Sequence, residues 1–591
     1  MRTLFFSSFF SISLMAQISG TILDGHTQNP IEGALVRFQT RTTVVTTQAD
    51  GTFILDDTGP GRLTGAAYGY FNGAITISTS GPVSGVTITL TPIDLTNEGA
   101  TIKVPTFCAT CHTTLEDQYS NSPMAKTGYN KWVHDIFNGS ASSGGMNGFV
   151  YTRDSDHLAH SPVSECASCH TPVHFLNDPE SGLGDFNDPV FDKELGVTCE
   201  ICHRAYDVDE NKTNWPGVIP ADEGGAFTLI RSNEAMEFGR LGDVDNVTGM
   251  RGSYNPQLAA RVCAACHEDN NDSDEDGDYE DEINFEGAVP SETTYSEWLD
   301  YEALNGENAK SCVDCHMPIT DLSSFCSLSG LNRTGQVRSH DIRGTTPAFL
   351  DTALDFTVTH QVSTNHLKVD VTIANSETGH SVPTGVPIRN VILVLLVKDE
   401  GDLLAPFITG DQIDSVGGVD PNTMTFNIEE GYYAGLPGKA FYMNGANATH
   451  ERVFFTESTF IQEDSRIKAG ETYQGSFVFE LPVGSDTLNV DVRLIYRRGF
   501  RDLVDTKQWI TTGLGDPLQD IQPPFFGYPM GRDEEALNVC LNRDINDSGS
   551  VTIDDFDLLQ DAWRMMPPPF GSEAEMDIRH LIAIVNCIDP I

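Results

Sequence analysis

The chain repeats one short phrase, two cysteines three positions apart followed directly by histidine. Residues three apart on a helical turn face the same way, so both thiols can form thioethers with one haem while the histidine coordinates its iron. This spacing is typical of c-type haem attachment. The five copies comprise Cys108, Cys111 and His112; Cys166, Cys169 and His170; Cys199, Cys202 and His203; Cys263, Cys266 and His267; and Cys312, Cys315 and His316.

Five such copies predict five covalently bound haems, with the five histidines as proximal iron ligands. Zinc sites and disulfides are the alternatives, because paired cysteines form both. Neither needs a histidine after every pair, so haem is favoured. Few long amphipathic patterns separate the motifs. We therefore expect a mainly α-helical and irregular domain over residues 100–343, with porphyrin filling much of its interior.

The surroundings of the motifs resemble a known family. The phrases FCATCHTTLEDQYSNSPMA, GVTCEICHRAYDV and NSETGHSVPTGVPIR are similar to segments of multihaem cytochromes c related to the tetrahaem electron acceptor of hydroxylamine oxidoreductase. This resemblance covers about residues 106–500 and implies electron transfer. Nitrite-reducing relatives bind their catalytic haem through CxxCK, which does not occur here. The cross-linking tyrosine of hydroxylamine-oxidising relatives is not identified here either. Both points favour electron transfer over catalysis.

The second axial ligand decides whether a haem binds substrate or only carries electrons. His380 is favoured as a distal ligand by the phrase GHSVPTG, and His340 because it follows the last motif. Met124 stands where many relatives have histidine; it either caps an iron, packs in the core or leaves one haem open. His360, His366 and His450 lie in strand or loop patterns that favour the surface. The distal candidates are His134, His160, His174, His340, His380 and Met124.

Two strand-rich segments flank the motifs, with alternating apolar residues and turn signals. Residues 17–95 resemble a carboxypeptidase regulatory-like domain, which implies an accessory β-sandwich. Residues 344–515 predict a second β-sandwich packed on the haem domain. The predicted fold class is therefore multidomain: a mainly α-helical or irregular multihaem domain, flanking β-sandwiches and a small helical calcium-loop tail.

The tail, residues 535–591, resembles one dockerin repeat and carries a spacing close to that of a calcium loop, with Asp in place of the final Glu. Its candidate calcium ligands are Asp544, Asn546, Ser548, Ser550 and Asp555. The alternative is an acidic turn. A second acidic run, residues 272–282, begins like a calcium loop but lacks the final glutamate, so a solvated loop is the alternative there. Cys540 and Cys587 bracket the tail and predict a disulfide.

Composition constrains location and partners. The 591 residues carry 35 Lys and Arg against 85 Asp and Glu, a formal net charge of −50. Such a surface repels phosphate backbones, which argues against nucleic acid. Residues 1–16 have the pattern of a signal peptide, and no later apolar run is long enough to span a membrane. A periplasmic or extracellular protein is expected.

The leading interpretation is a secreted pentahaem cytochrome that transfers electrons between redox protein partners. The terminal domains would then bind a cell-surface or scaffold partner. A multihaem oxidoreductase acting on a small nitrogen or sulfur compound at one open haem is the first alternative. An adhesion or scaffold protein that carries haem is the second.

Overall fold

The computed structural model describes most of the chain in sixteen stretches. They are residues 17–96, 98–159, 162–164, 166–179, 182–188, 196–210, 217–218, 225–245, 250–271, 289–327, 332–363, 366–399, 403–481, 487–514, 526–539 and 551–565. The expected signal peptide, the acidic run after Asn271, both cysteines of the expected disulfide and most of the predicted calcium loop lie outside these residues.

The N-terminal segment forms two sheets that share an apolar core. Its strands are β1 (Ile18–Asp24), β2 (Leu35–Phe38), β3 (Val44–Thr46), β4 (Thr52–Leu55), β5 (Gly61–Ala66), β6 (Tyr70–Phe71), β7 (Gly73–Ile77) and β8 (Val83–Pro92). One sheet has the order β6-β8-β1-β4 and the other β3-β2-β5-β7. Ile22 and Leu90 from the first sheet and Phe38 and Leu63 from the second are all buried in one cluster, because alternate residues of a strand face the same side.

The segment that carries the motifs consists of short helices and short strands. Its helices are α1 (Pro105–Ala109), α2 (Thr113–Asn121), α3 (Lys131–Phe137), α4 (Tyr151–Asp154), α5 (Cys166–His170), α6 (Pro172–Asn177), α7 (Cys199–His203), α8 (Ala264–His267), α9 (Thr294–Asn305) and α10 (Cys312–His316). Its strands are β9 (Ala205–Val208), β10 (Phe227–Leu229), β11 (Met236–Gly239), β12 (Arg251–Tyr254), β13 (Asp269–Asn271) and β14 (Val289–Glu292). The expectation of a helical and irregular segment agrees with these short elements.

This segment is joined to the N-terminal sheets by strand pairing. β12 pairs with β6 at Ser253 and Phe71, and β11 extends the same sheet in parallel. Arg62 also forms an ion pair with Asp245 across the two segments. The N-terminal unit is therefore attached to the motif-bearing segment by backbone as well as side-chain contacts.

The C-terminal strands form two further sheets. They are β15 (Asp355–Val362), β16 (His366–Ala374), β17 (Asn390–Asp399), β18 (Leu403–Leu404), β19 (Phe407–Thr409), β20 (Gly438–Ala446), β21 (Phe460–Asp464), β22 (Thr472–Glu480), β23 (Thr487–Arg497) and β24 (Tyr528–Asn538). One sheet has the order β15-β16-β22-β19; the other has the order β21-β20-β17-β23-β24, with β18 on β17. The remaining helices are α11 (Pro347–Leu350), α12 (Arg501–Lys507) and α13 (Ile553–Met565).

Two features of these sheets bear on the sequence predictions. The run Val391–Val397 is a buried central strand, as its continuous apolar character predicts. Strand β24 lies beyond residue 515, where the sequence placed the end of this domain, yet it pairs with β23 along its whole length. Its sequence, YPMGRDEEALN, is polar because β24 is an edge strand with much of its surface in solvent.

In the described part of the chain, no helix combines the length and apolar character needed to cross a bilayer.

Candidate functional site

Each motif forms a turn of helix, which brings its two cysteines to one face. CASCH, CEICH and CVDCH make up α5, α7 and α10, and α8 holds the last four residues of CAACH. In CATCH the turn continues past α1, because the His112 N–H donates to the Cys108 carbonyl at 2.9 Å. Ser311 and Asp314 cap α10 by reciprocal hydrogen bonds. The local structure thus presents each thiol pair together with its histidine.

Motifs that are distant in the chain lie side by side in the fold. Three pairs of thiols from different motifs lie close enough to shift each other's pKa: Cys108 and Cys199, Cys169 and Cys266, and Cys263 and Cys312. They place the first motif beside the third, the second beside the fourth, and the fourth beside the fifth. Burial raises the pKa of Cys202 to about 11, and the charge of Cys266 adds to this shift, so the third and fourth motifs are also near each other. Groups attached to the five motifs would therefore form one continuous cluster.

Two motif histidines face a second histidine ring. The ring centroids of His203 and His340 are 6.3 Å apart with an interplanar angle of 11°. Those of His316 and His380 are 6.4 Å apart with an angle of 21°. A metal–nitrogen bond of about 2 Å, with a ring centre about 1.1 Å beyond each nitrogen, puts the centroids of two imidazoles on one ion about 6.2 Å apart. Both pairs thus have the spacing at which one iron fits between the rings.

In all four of these histidines, Nδ1 lies at hydrogen-bond distance from a backbone carbonyl, and Nε2 is left for a metal. Nδ1 of His203 donates to the Phe238 carbonyl at 2.7 Å, and Nδ1 of His340 to that of Arg338 at 3.1 Å. In the second pair, Nδ1 of His316 lies 2.5 Å from the Arg343 carbonyl, and Nδ1 of His380 lies 2.9 Å from the Ser381 carbonyl. A carbonyl on Nδ1 fixes the tautomer whose Nε2 lone pair binds metal. These four residues therefore fit the axial positions of two haems.

Burial also keeps three of these rings in the neutral form that coordinates metal. It lowers the pKa of His203 and of His316, and it lowers that of His340 to about 4. For His340 the charge of His203 adds to the effect, because two close imidazoliums repel each other. At neutral pH these imidazoles are unprotonated, as a metal ligand must be.

The loop that carries His380 is held against the motif-bearing segment by α9. Glu297 accepts hydrogen bonds from the Ser381 N–H at 2.9 Å and from the Thr384 hydroxyl at 2.7 Å. A side chain at Gly379 would meet Tyr301 of α9 at 3.2 Å, so glycine permits the close approach. Sequence reasoning missed Glu297, because a carboxylate in a helix carries no signal for a loop 84 residues away.

The other three motif histidines have different surroundings. Nδ1 of His112 lies 2.6 Å from the Phe325 carbonyl. Burial lowers the pKa of His170 to about 4, and the charge of His134 contributes. Burial opposes protonation of His267, but the neighbouring Glu292 raises its pKa overall; the two side chains are 3.9 Å apart. Among the described residues, none of these three rings faces a histidine at the spacing of the two pairs.

The remaining distal candidates are placed as follows. His134 of α3 is fully buried, and both of its ring nitrogens lie near carbonyls: Nδ1 at 3.1 Å from that of Gly184 and Nε2 at 3.0 Å from that of Gly128. This arrangement engages both nitrogens, unlike those of His340 and His380. His174 is half-buried in α6, and Met124 packs against the apolar core of the motif-bearing segment. His160 lies outside the described residues.

Of the predicted calcium ligands, only Asp555 lies within the described residues. It is buried at the start of α13 and accepts hydrogen bonds from the Thr552 N–H at 2.8 Å and the Thr552 hydroxyl at 3.1 Å. These contacts cap the helix. Asp544, Asn546, Ser548 and Ser550 fall outside the described residues.

A buried charge cluster beside the third motif was not predicted. Glu200, within CEICH, is 2% exposed and accepts from Lys103 at 2.8 Å. Arg204 lies 3.5 Å from both Glu200 and Glu237. Burial raises the pKa of Glu237 to about 8 against the opposing charge of Arg204. The one sequence signal is the four-residue spacing of Glu200 and Arg204; Lys103 and Glu237 are distant in the chain.

Residues 107–204 match the family model described as cytochrome c554 and c-prime. A penta-haem cytochrome c552 from Thermochromatium tepidum has a TM-score of 0.48 and 17% identity, covering 74% of this chain and 99% of that one. A mutant type II cohesin–X–dockerin complex from Acetivibrio cellulolyticus has a TM-score of 0.12 and 20% identity, covering 14% and 65%. No curated protein matches the sequence significantly.

The matched residues contain the first three motifs. This part of the chain is therefore similar to a multihaem cytochrome c family. Haem attached at the motifs would supply reversible one-electron transfer at iron. The residues described above would then provide the thioether attachment points, the axial nitrogens and the buried surroundings.

Proposed function

We propose that this chain is a secreted pentahaem c-type cytochrome that transfers electrons between redox partners outside the cytoplasm. The pairing of His203 with His340 and of His316 with His380 carries the proposal. A haem with both axial positions filled by protein transfers electrons and does not bind substrate. The contacts between motifs support it further, because neighbouring haems can pass an electron along the cluster.

We further propose His340 and His380 as distal ligands of the third and fifth haems. Each faces a proximal histidine and directs Nδ1 to a backbone carbonyl. His134, His160, His174 and Met124 are the remaining candidates for the other three haems. Among them, His134 lies near the second motif, because its charge acts on His170.

Low-temperature electron paramagnetic resonance of the oxidised holoprotein tests this proposal. We expect low-spin signals from the third and fifth haems that nitrite and hydroxylamine leave unchanged. If a high-spin signal of the wild-type protein came from either of these two haems, it would contradict the proposal that His340 and His380 are distal ligands.

Two histidine variants locate the signals. His340→Ala should convert one haem's share of the iron to a high-spin, ligand-accessible form, because it removes one axial nitrogen. His366→Ala is the matched control: His366 is exposed on β16, and its loss should leave the spectrum unchanged. Equal spectra for the two variants would exclude His340 as a ligand.

A second candidate function is reduction or oxidation of a small nitrogen or sulfur compound at one open haem. It is favoured by the surroundings of His267, where Glu292 lies 3.9 Å from Nδ1, because a carboxylate there raises the basicity of a proximal imidazole and its donation to iron. In the same experiment, a high-spin signal that shifts when nitrite or hydroxylamine is added would favour this function. Glu292→Gln should then slow turnover while leaving the signal in place.

We assign accessory roles to the terminal segments. Residues 17–95 would be a carboxypeptidase regulatory-like domain, and residues 535–591 a dockerin-like segment that binds calcium and a surface or scaffold partner. The alternation and turns of the first segment and the loop spacing of the second support this assignment.

A further inference from the structure

A histidine and two carboxylates meet where the two C-terminal sheets approach each other. His360 lies on β15, the edge strand of one sheet, and Asp533 and Glu535 lie on β24, the edge strand of the other. Because residues two apart on a strand face the same side, both carboxylates point toward His360. His360 was expected at the surface, but its side chain is only 8% exposed, since β24 covers it. No local pattern of residues 528–538 indicates that β24 belongs to this domain.

The three side chains have the geometry of a metal site. Each offers one donor atom, and these atoms all lie within 4.8 Å of one another. Nε2 of His360 is 3.4 Å from Oδ1 of Asp533, and Nδ1 is 3.0 Å from Oε2 of Glu535. Two bonds of about 2.1 Å at a tetrahedral angle place their donors about 3.4 Å apart. The first of these distances is the one that a shared zinc ion would impose.

Two of the donor atoms are buried and make no hydrogen bond. Nε2 of His360 and Oδ1 of Asp533 are both inaccessible to solvent and lack a hydrogen-bond partner. A buried polar atom in this state costs about 1–3 kcal/mol, so such atoms usually indicate a bound ion or water. Asp533 and Glu535 are 37% and 54% exposed, which leaves a side open for entry and for water to complete the coordination.

We propose that His360, Asp533 and Glu535 bind one divalent transition-metal ion, with zinc the best fit to one imidazole and two carboxylates. The ion joins β15 to β24 and so holds together the edges of the two sheets. The strongly acidic surface raises the local concentration of cations and favours loading. This site is separate from the haem motifs and does not depend on the electron-transfer proposal.

Zinc binding by the full-length holoprotein tests the proposal. After chelator treatment and dialysis, zinc is added and its tightly held content per chain is measured for the wild type, Asp533→Asn and Glu535→Gln. Glu534→Gln is the matched control, because it removes the same charge from the neighbouring position of β24, where Glu534 pairs with Arg532 at 2.9 Å. We expect at least tenfold weaker binding for the two site variants and wild-type binding for the control.

X-ray absorption spectroscopy at the zinc K-edge identifies the ligands around the ion. A non-specific effect of the protein's charge on zinc binding would not produce an imidazole signal. One imidazole with oxygen ligands is expected in the wild type, and that imidazole signal should be absent in His360→Ala. Equal zinc binding in all the carboxylate variants, a loss in Glu534→Gln as large as in the site variants, or absence of a tightly bound ion would overturn the proposal. The cluster would then be an imidazolium held between two carboxylates.

Discussion

Replacing Lys507 by methionine should weaken the contact between the C-terminal sheets and the motif-bearing segment. Lys507 ends α12 and is fully buried. Its Nζ donates to three backbone carbonyls of the other segment: Asp135 at 2.9 Å, Gly145 at 2.6 Å and Phe149 at 2.6 Å. Beside it, Trp509 stacks on Trp132 with ring centroids 4.2 Å apart and donates to the Asp135 carboxylate. Lys507 thus lies at the centre of the contact.

The free-energy cost of Lys507→Met arises because three buried carbonyls lose their hydrogen-bond donor, at about 1–3 kcal/mol each. Part of that cost is offset because a buried charge disappears: burial lowers the pKa of Lys507 from 10.5 to about 8, despite the opposing charge of Asp135. We expect Lys507→Met to lower the free energy of opening this interface by about 2–4 kcal/mol at pH 7.

The pKa shift makes the effect depend on pH. Between pH 8 and 10.5 the unfolded chain holds a proton on Lys507 that the folded chain has lost, so wild-type stability rises with pH across this window. A shift from 10.5 to about 8 corresponds to a gain of about 3 kcal/mol at its upper limit. The methionine variant lacks this gain, so its deficit should grow from pH 8 to pH 10.5.

Pulse proteolysis with subtilisin in increasing urea measures the opening of this interface directly, because cleavage within residues 139–150 and 501–511 reports it. Lys468→Met is the control, since Lys468 is exposed and its loss should change stability by less than about 0.5 kcal/mol. A deficit below 1 kcal/mol, or a deficit that stays constant or shrinks above pH 8, would refute the reasoning.

Three further predictions follow from other contacts. Ile373→Ala should lower the free energy of unfolding of the C-terminal sheets by about 2–5 kcal/mol, because Ile373 is fully buried; an unchanged urea midpoint would contradict this. Arg466→Met should cost about 3–5 kcal/mol, because it leaves the carboxylate of Glu297, only 11% exposed, without its ion-pair partner. It should also perturb the resonance spectrum of the haem at His316; an unchanged spectrum would show that Glu297 holds the His380 loop by itself. Asp555→Ala should weaken calcium binding by the tail at least tenfold in a calcium titration, and equal affinity in wild type and variant would exclude the predicted loop.

The helical turns of the five motifs could be predicted because a short-range pattern defines them. Two cysteines three apart with a following histidine lie on one helical turn wherever that turn is placed, and all five motifs form such turns. Strand β17 was equally predictable, since a continuous apolar run needs burial on both faces. The end of the C-terminal domain was not, because the polar edge strand β24 resembles a loop in sequence.

The sequence alone thus determined what the chain can attach: ten cysteines and five histidines whose chemistry depends only on neighbours within one turn. The tertiary structure decided which residues face them. His340 meets His203 across 137 positions and His380 meets His316 across 64. The carbonyls of Phe238 and Arg343, from other segments, orient the two motif histidines, and Glu297 holds the His380 loop. Long-range packing also buried His360 beneath β24. No local pattern carries these pairings, because the free energy that fixes them is gained only when distant segments pack together.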